Sequence, residues 1–215
     1  MTYFVVNHIL HKDGKPVAQK PSPNRGDVMT PRLLVLHYTA TFDAKSAIAT
    51  LTDGRAQNRV SAHLVLDRDG AVTQLLPLNV VGWHVGVSAY RGRGGCNNFS
   101  VGIEQVNAGV LNKGADGNFY TQIGKHEIAA SEVIHAQDLV TGGWGYWQDY
   151  TDAQIAAAAE IGAAIAKAYP TIKDVVSHEQ VALPKGRKTD TGPAYPLVSV
   201  RSRILGRDDG AADAA

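Results

Sequence analysis

Apolar and polar positions change period several times along this chain, and each change marks an element. Residues 33–36 are an unbroken apolar run ending at His37, the pattern of a strand buried on both faces. The stretch FDAKSAIATL predicts a helix, with Thr41 or Asp43 as its cap and Gly54 as its stop. Between His63 and Leu76, apolar residues flank Asp69-Gly70, which predicts a hairpin. In NFSVGIEQV, Phe99, Val101 and Ile103 alternate, so a strand is expected with Glu104 on the face opposite Ile103. The clearest helix begins at Thr151, which has capping-box spacing to Gln154. Ile155, Ala158, Gly162, Ile165 and Tyr169 then recur at helical intervals until Pro170. Val175 and Val176 make a short strand ending at His178.

The remaining stretches carry turn chemistry. The opening residues turn at Asp13-Gly14, and Pro21, Pro23 and Gly26 mark a loop. Residues 107–150 hold many glycines together with Trp144, Tyr146 and Trp147, and are expected to be mainly long loops. Residues 206–215 read as a small, polar, frayed tail. No internal repeat is visible. The mixture predicts an α/β fold with one mixed sheet flanked by helices. One domain is expected over residues 1–215, with a core at about 31–200 and an N-terminal hairpin and loop before it.

Composition narrows the choice. A chain of 215 residues, 44% hydrophobic and 19% charged, is long enough for one real core. A net charge of +1 argues against nucleic acid as a partner, and no basic run suggests a charged membrane surface. No stretch approaches the roughly 18 apolar residues of a membrane helix. The first residues lack a basic segment leading into an apolar one, so the chain is expected to be cytoplasmic as synthesised. The single cysteine, Cys96, can neither close an intrachain disulfide nor build a multi-cysteine metal cage, and reads as a small, half-buried residue.

Three residues are suited to a metal. His37 and His178 end strands, and Asp190 lies in the loop HEQVALPKGRKTDTGPAYP. Two imidazoles and a carboxylate leave coordination positions open, as a catalytic zinc requires, though the same set also serves non-haem iron. The helix motif HExxH is absent. Taken singly, each histidine reads equally as a structural residue, Glu104 as half of an ion pair, and Lys188 as a solvated charge like Lys185 and Arg187.

The segments LLVLHYTAT, SAHLVLDRDG, GWHVGVS, NFSVGIEQVN and HEQVALPKGRKTDTGPAYP occur in order over residues 31–196. Together they resemble the zinc-dependent N-acetylmuramoyl-L-alanine amidases. That group includes the cytosolic AmpD-type recycling enzymes, phage endolysins and, more distantly, the peptidoglycan recognition proteins. The resemblance implies one Zn2+ held by His37, His178 and Asp190 at the bottom of a surface groove, with Glu104 as catalytic acid and base and Lys188 as catalytic lysine. It implies substrate contact or support of the site, and not ligation, for His63 and His84. His8, His11, His126 and His135 match none of its motifs and are expected to face solvent. One branch of the family has a catalytic tyrosine where this chain has Ala62, so the chemistry is expected to rest on Glu104. Another branch has cysteine where this chain has Asp190. The loop between His178 and Lys188 is slightly longer than in the AmpD-type enzymes.

The implied substrate is peptidoglycan or a muropeptide. Sugars stack on aromatic faces, which nominates Trp83, Tyr90, Trp144 and Trp147. Stem-peptide carboxylates attract arginine, which nominates Arg91 and Arg93, and Asn98 is placed to bond the peptide backbone. The competing readings are a non-catalytic peptidoglycan-binding module and an iron oxygenase. Within the hydrolase reading, the chain is either a cytosolic recycling enzyme or an endolysin released to the wall, with a leaning toward wall peptidoglycan.

Overall fold

The computed structural model describes residues 2–57 and 59–208. Its strands are β1 (Tyr3–Val6), β2 (Ile9–Lys12), β3 (Lys15–Pro16), β4 (Ala18–Gln19) and β5 (Leu33–Tyr38), then helix α1 (Ala44–Thr52). Next come β6 (Leu64–Leu66), β7 (Val72–Gln74), β8 (Ala89–Tyr90), β9 (Arg93–Gly94) and β10 (Ser100–Gln105). Strands β11 (Val110–Lys113), β12 (Phe119–Thr121), β13 (Glu127–Ile128), β14 (Val133–Gln137) and β15 (Trp144–Gln148) precede helix α2 (Asp152–Ala168). The chain continues through β16 (Asp174–Ser177), α3 (His178–Val181) and α4 (Leu197–Leu205).

A six-stranded mixed sheet, in the order β16-β5-β10-β6-β7-β4, organises the molecule. Strands β16, β5, β10 and β6 run parallel, and β7 returns antiparallel to β6. Alternation divides the central strands between two faces. Leu34, Leu36, Val101, Ile103 and Val175 join α2 and α4 in the main core, where Ile161, Ile165, Val200 and Ile204 are buried. The other face carries Leu33 and Val35 in a second cluster, then His37 and Glu104, which are register partners on neighbouring strands. The apolar run of β5 is therefore continuous because both of its faces are covered.

Local signals set several boundaries. Asp43, and not Thr41, caps α1, its carboxylate accepting from Ser46 N at 2.7 Å. The helix ends at Thr52 with Asp53 as its C-cap, ahead of the expected stop at Gly54. Thr151 and Gln154 form the reciprocal capping box of α2. β16 stops at Ser177, so His178 opens α3 instead of ending the strand. Gly206 closes α4 in the left-handed conformation (φ 63°), while the tail beyond Asp208 lies outside the described residues.

The main correction concerns residues 107–150. They are not chiefly loops: they form a five-stranded antiparallel sheet in the order β13-β12-β11-β15-β14. Its strands are short, glycine-rich turns separate them, and its aromatic residues lie on both faces, which blurs the period of two. Among the described residues, no helix is long and apolar enough to cross a membrane.

Candidate metal centre and groove

His37 Nδ1, His178 Nδ1 and Asp190 Oδ2 form a nearly equilateral triangle with sides of 3.1, 3.0 and 3.0 Å. All three side chains are buried. Each comes from a different local setting: the end of β5, the first turn of α3, and the loop after α3. The backbone closes the loop onto the helix, since Glu179 N donates to Asp190 O at 2.8 Å.

Hydrogen bonds behind the triangle decide where its protons are. His178 Nε2 lies 3.1 Å from Val85 O, which can only accept, so the proton of the neutral ring is on Nε2. Ser100 Oγ gives its own hydrogen to Cys96 O, leaving Ser100 Oγ and Ser100 O as acceptors for His84 Nε2. His84 Nδ1 must then accept from His37 Nε2 at 2.9 Å. Burial holds His37 down, from the ordinary 6.5 to about 4, and pushes His84 well below its usual range, so both rings are neutral at pH 7. With their Nε2 atoms turned to partners behind the site, both rings direct Nδ1 at each other and at a carboxylate oxygen. Three such donor atoms at about 3 Å could hold a cation. Zinc fits: ligand bonds of about 2.0–2.1 Å in a tetrahedral site put neighbouring donors about 3.3 Å apart. The triangle is the cluster of metal-ligating side chains found among the described residues.

The triangle lies in a groove of about 390 Å³ that also exposes Trp83, His84, Glu104 and Lys188. Glu104 Oε2 has no hydrogen-bond partner. Burial raises the Glu104 carboxyl well above its usual range, the charge of Asp190 adds to this, and Lys188 opposes it. Such a group holds a proton more readily than an ordinary carboxyl does. Trp83 is half-buried, with the Arg59 guanidinium 5.5 Å from its ring centroid.

Other expected site residues are placed elsewhere. His63 is fully buried and both its nitrogens are taken: Nε2 donates to Val80 O at 2.7 Å and Nδ1 accepts from Gly102 N at 3.0 Å. It has no surface with which to touch a substrate. Asn98 and Arg93 are exposed but do not line the groove, and Arg93 stacks over Phe99, 4.2 Å from its centroid. Tyr90 and Arg91 are engaged by the Asp174 carboxylate, and Trp147 is buried. Cys96 is fully buried, not half-buried. Arg187, read as a solvated charge, instead bonds the carbonyls of Leu183, Val85 and Val87 at 2.8–2.9 Å.

Several residues escaped the sequence reading. Asn97, the neighbour of Asn98, accepts from His84 N and Val85 N and so positions the carbonyl that orients His178. The Tyr38 hydroxyl bonds Thr189 Oγ1 at 2.7 Å, and the Tyr150 hydroxyl donates to Thr191 O at 2.9 Å, holding the chain on both sides of Asp190. Nothing local in the sequence signals these contacts, which join residues 12 to 151 positions apart.

Three donors that could hold a metal ion, open to a groove and beside a carboxyl with an unpartnered oxygen, are an arrangement that fits a metal-assisted hydrolase. The chain belongs to the N-acetylmuramoyl-L-alanine amidase family, whose sequence model matches residues 27–193. It is thus an enzyme that hydrolyses the amide between N-acetylmuramic acid and L-alanine. It is 32% identical over 208 residues to the 1,6-anhydro-N-acetylmuramyl-L-alanine amidase AmpD of Escherichia coli (strain K12), covering 86% of this chain and 89% of that protein. A selenomethionine AmpD structure matches with a TM-score of 0.61 and 27% identity, over 88% of this chain and 93% of that one. The Escherichia coli amidase AmiD, solved with anhydro-N-acetylmuramic acid-L-Ala-D-γ-Glu-L-Lys, matches with a TM-score of 0.58 and 28% identity, over 94% of this chain and 65% of that one.

Proposed function

We propose that His37, His178 and Asp190 hold one zinc ion and that Glu104 and Lys188 carry the proton and charge transfers of amide hydrolysis. The observation that carries this reading is the convergence of three metal-competent donor atoms within about 3 Å, in a groove that also presents the unpartnered oxygen of Glu104. Zinc, when bound, supplies Lewis acidity that makes water nucleophilic at neutral pH and polarises the scissile carbonyl. Glu104 accepts the proton of the attacking water and returns it to the departing L-alanine nitrogen. Its raised affinity for a proton suits both halves of that exchange. Lys188, exposed on the groove wall, offers its ammonium to the oxygen that turns negative. The ring of Trp83 provides an apolar face for the sugar. The substrate is a muropeptide of the kind bound by AmiD, or the same unit within peptidoglycan.

The test is product analysis by mass spectrometry, using soluble anhydro-muropeptide and intact sacculi with and without a zinc chelator. Stem peptides beginning with L-alanine are expected, lost on chelation and restored by zinc. Glu104→Gln is expected to lower turnover by about 10²–10⁴-fold while still binding zinc. Full activity in Glu104→Gln, or in the chelated enzyme, would overturn the assignment.

A further inference from the structure

The sheet of residues 110–148 carries a row of aromatic rings outside the groove, exposed at Trp144 and His135 and half-buried at Tyr146 and Phe119, which pack on the cluster of Leu111 and Ile128. Strand pairing sets Tyr146 opposite His135 and Trp144 opposite Gln137, so these side chains leave the same face. Pairing of Leu111 with Tyr146, and of Lys113 with Phe119, continues that face across β11 and β12. The rings form an unbroken row: Trp144 to His135 at 5.2 Å, His135 to Tyr146 at 4.8 Å, and Tyr146 to Phe119 at 4.9 Å between centroids. The Lys113 ammonium lies 5.5 Å from the Tyr146 centroid and 5.7 Å from that of Phe119. Trp144 is 67% exposed, and His135 and Lys113 are also exposed. Trp147 leaves the opposite face and is buried, so stability requires that ring and not Trp144.

The same sheet touches two segments of chain that line the groove. His126, beside the β12–β13 turn, stacks on Phe42 with centroids 4.5 Å apart, next to the groove residue Thr41. Val140, in the β14–β15 turn, lies against Gly186, where an added Cβ would sit 3.9 Å from its Cγ1. Gly186 precedes Arg187 and Lys188 on the groove wall.

We infer that this face is a docking platform for the glycan strand of polymeric peptidoglycan, an inference that rests on the amidase reading above. Pyranose rings present apolar C–H faces that pack on aromatic rings, as the exposed rings of Trp144 and His135 at one end of the row allow. Stem peptides bring carboxylates, which complement the cation set within the row. The contacts at Phe42 and Gly186 set the platform beside segments that line the groove. A strand held there brings successive stems to the groove, which a single muropeptide does not need.

Trp144→Ala and the double variant His135→Ala/Trp144→Ala test the platform by co-sedimentation with sacculi and by turnover of sacculi and soluble muropeptide. Sacculus binding and turnover are expected to fall about tenfold, with kcat/KM on the soluble compound within about twofold of the parent. Trp144→Phe is expected to recover most of the loss. Peptide-free glycan strands are expected to compete with sacculi for the parent protein and to have little effect on the residual binding of the alanine variants. Equal loss on both substrates would mark the residues as structural. Unchanged sacculus binding would overturn the proposal, and so would failure of glycan strands to compete, which would point to a protein partner. If the parent protein cut neither the soluble compound nor sacculi, the amidase reading would fall, while the binding and competition arms would still decide the platform.

Discussion

Individual histidines in this molecule have separate jobs, and their partners reveal which. His37 and His178 each set Nε2 against a partner behind the site and turn Nδ1 toward the triangle. His63 has both nitrogens engaged by the protein backbone and is a strut between the turn at Val80 and strand β10. Burial lowers its pKa from the ordinary 6.5 to about 4. The unfolded chain therefore binds a proton here that the native chain refuses. Stability attributable to His63 falls as pH drops below about 6.5 and levels off below about 4. The loss at about pH 5 is about 2 kcal/mol. Urea denaturation of the parent and of His63→Gln, at neutral pH and at about pH 5, measures it. The parent should lose more stability than the variant by roughly that amount, and identical pH slopes would disprove it. The sequence could place His63 in a family motif, but not its two backbone partners, which come from residues 17 and 39 positions away.

At the scale of elements, β10 shows how one strand serves core and site together. Val101 and Ile103 enter the main core, while Gly102 and Glu104 face the site. Gly102 is small for a reason: a Cβ there would sit 2.6–2.9 Å from the His84 ring, which is fixed by its own bonds to His37 and Ser100. Gly102→Ala is expected to cost about 1–3 kcal/mol of stability by overpacking. By displacing His84 it should also weaken zinc binding about 10–100-fold. Metal titration by calorimetry alongside denaturation would check both, and wild-type affinity in a destabilised variant would refute the link. The strands and helices with one strong period, β5, β10 and α2, were legible from the pattern alone. The sheet of residues 110–148 was not, because its strands are short and its aromatic face buries Leu111 and Ile128 while leaving Trp144 exposed, which breaks the alternation.

For the molecule as a whole, the site ties together segments that the chain keeps far apart. His37 and Asp190 are separated by 153 positions, and the rear supports come from residues 84, 85, 97 and 100. A cation bound there stabilises only the folded state, because the unfolded chain does not assemble the triangle. Zinc at 100 times its Kd should add about 2.7 kcal/mol. For a domain of this size that is a rise in Tm of about 5–10 °C. Calorimetry of chelated and zinc-reloaded protein tests this, and Asp190→Ala should show no shift. An equal shift in Asp190→Ala would place the stabilising ion elsewhere.

The amino-acid sequence determined which stretches seek burial, where the main helix is capped, and which ordered motifs supply His37, Glu104, His178, Lys188 and Asp190. These are local properties: a period of two or 3.6 residues, a cap, or a motif is written in neighbouring positions. Tertiary structure alone decided that both Nδ1 atoms of the triangle converge on one Asp190 oxygen, that His63 is sealed from the groove, and that Arg187 is bound to carbonyls. It also decided which face of the second sheet meets solvent. Proton position, burial and outward orientation depend on partners brought together through space, and no window of sequence contains them.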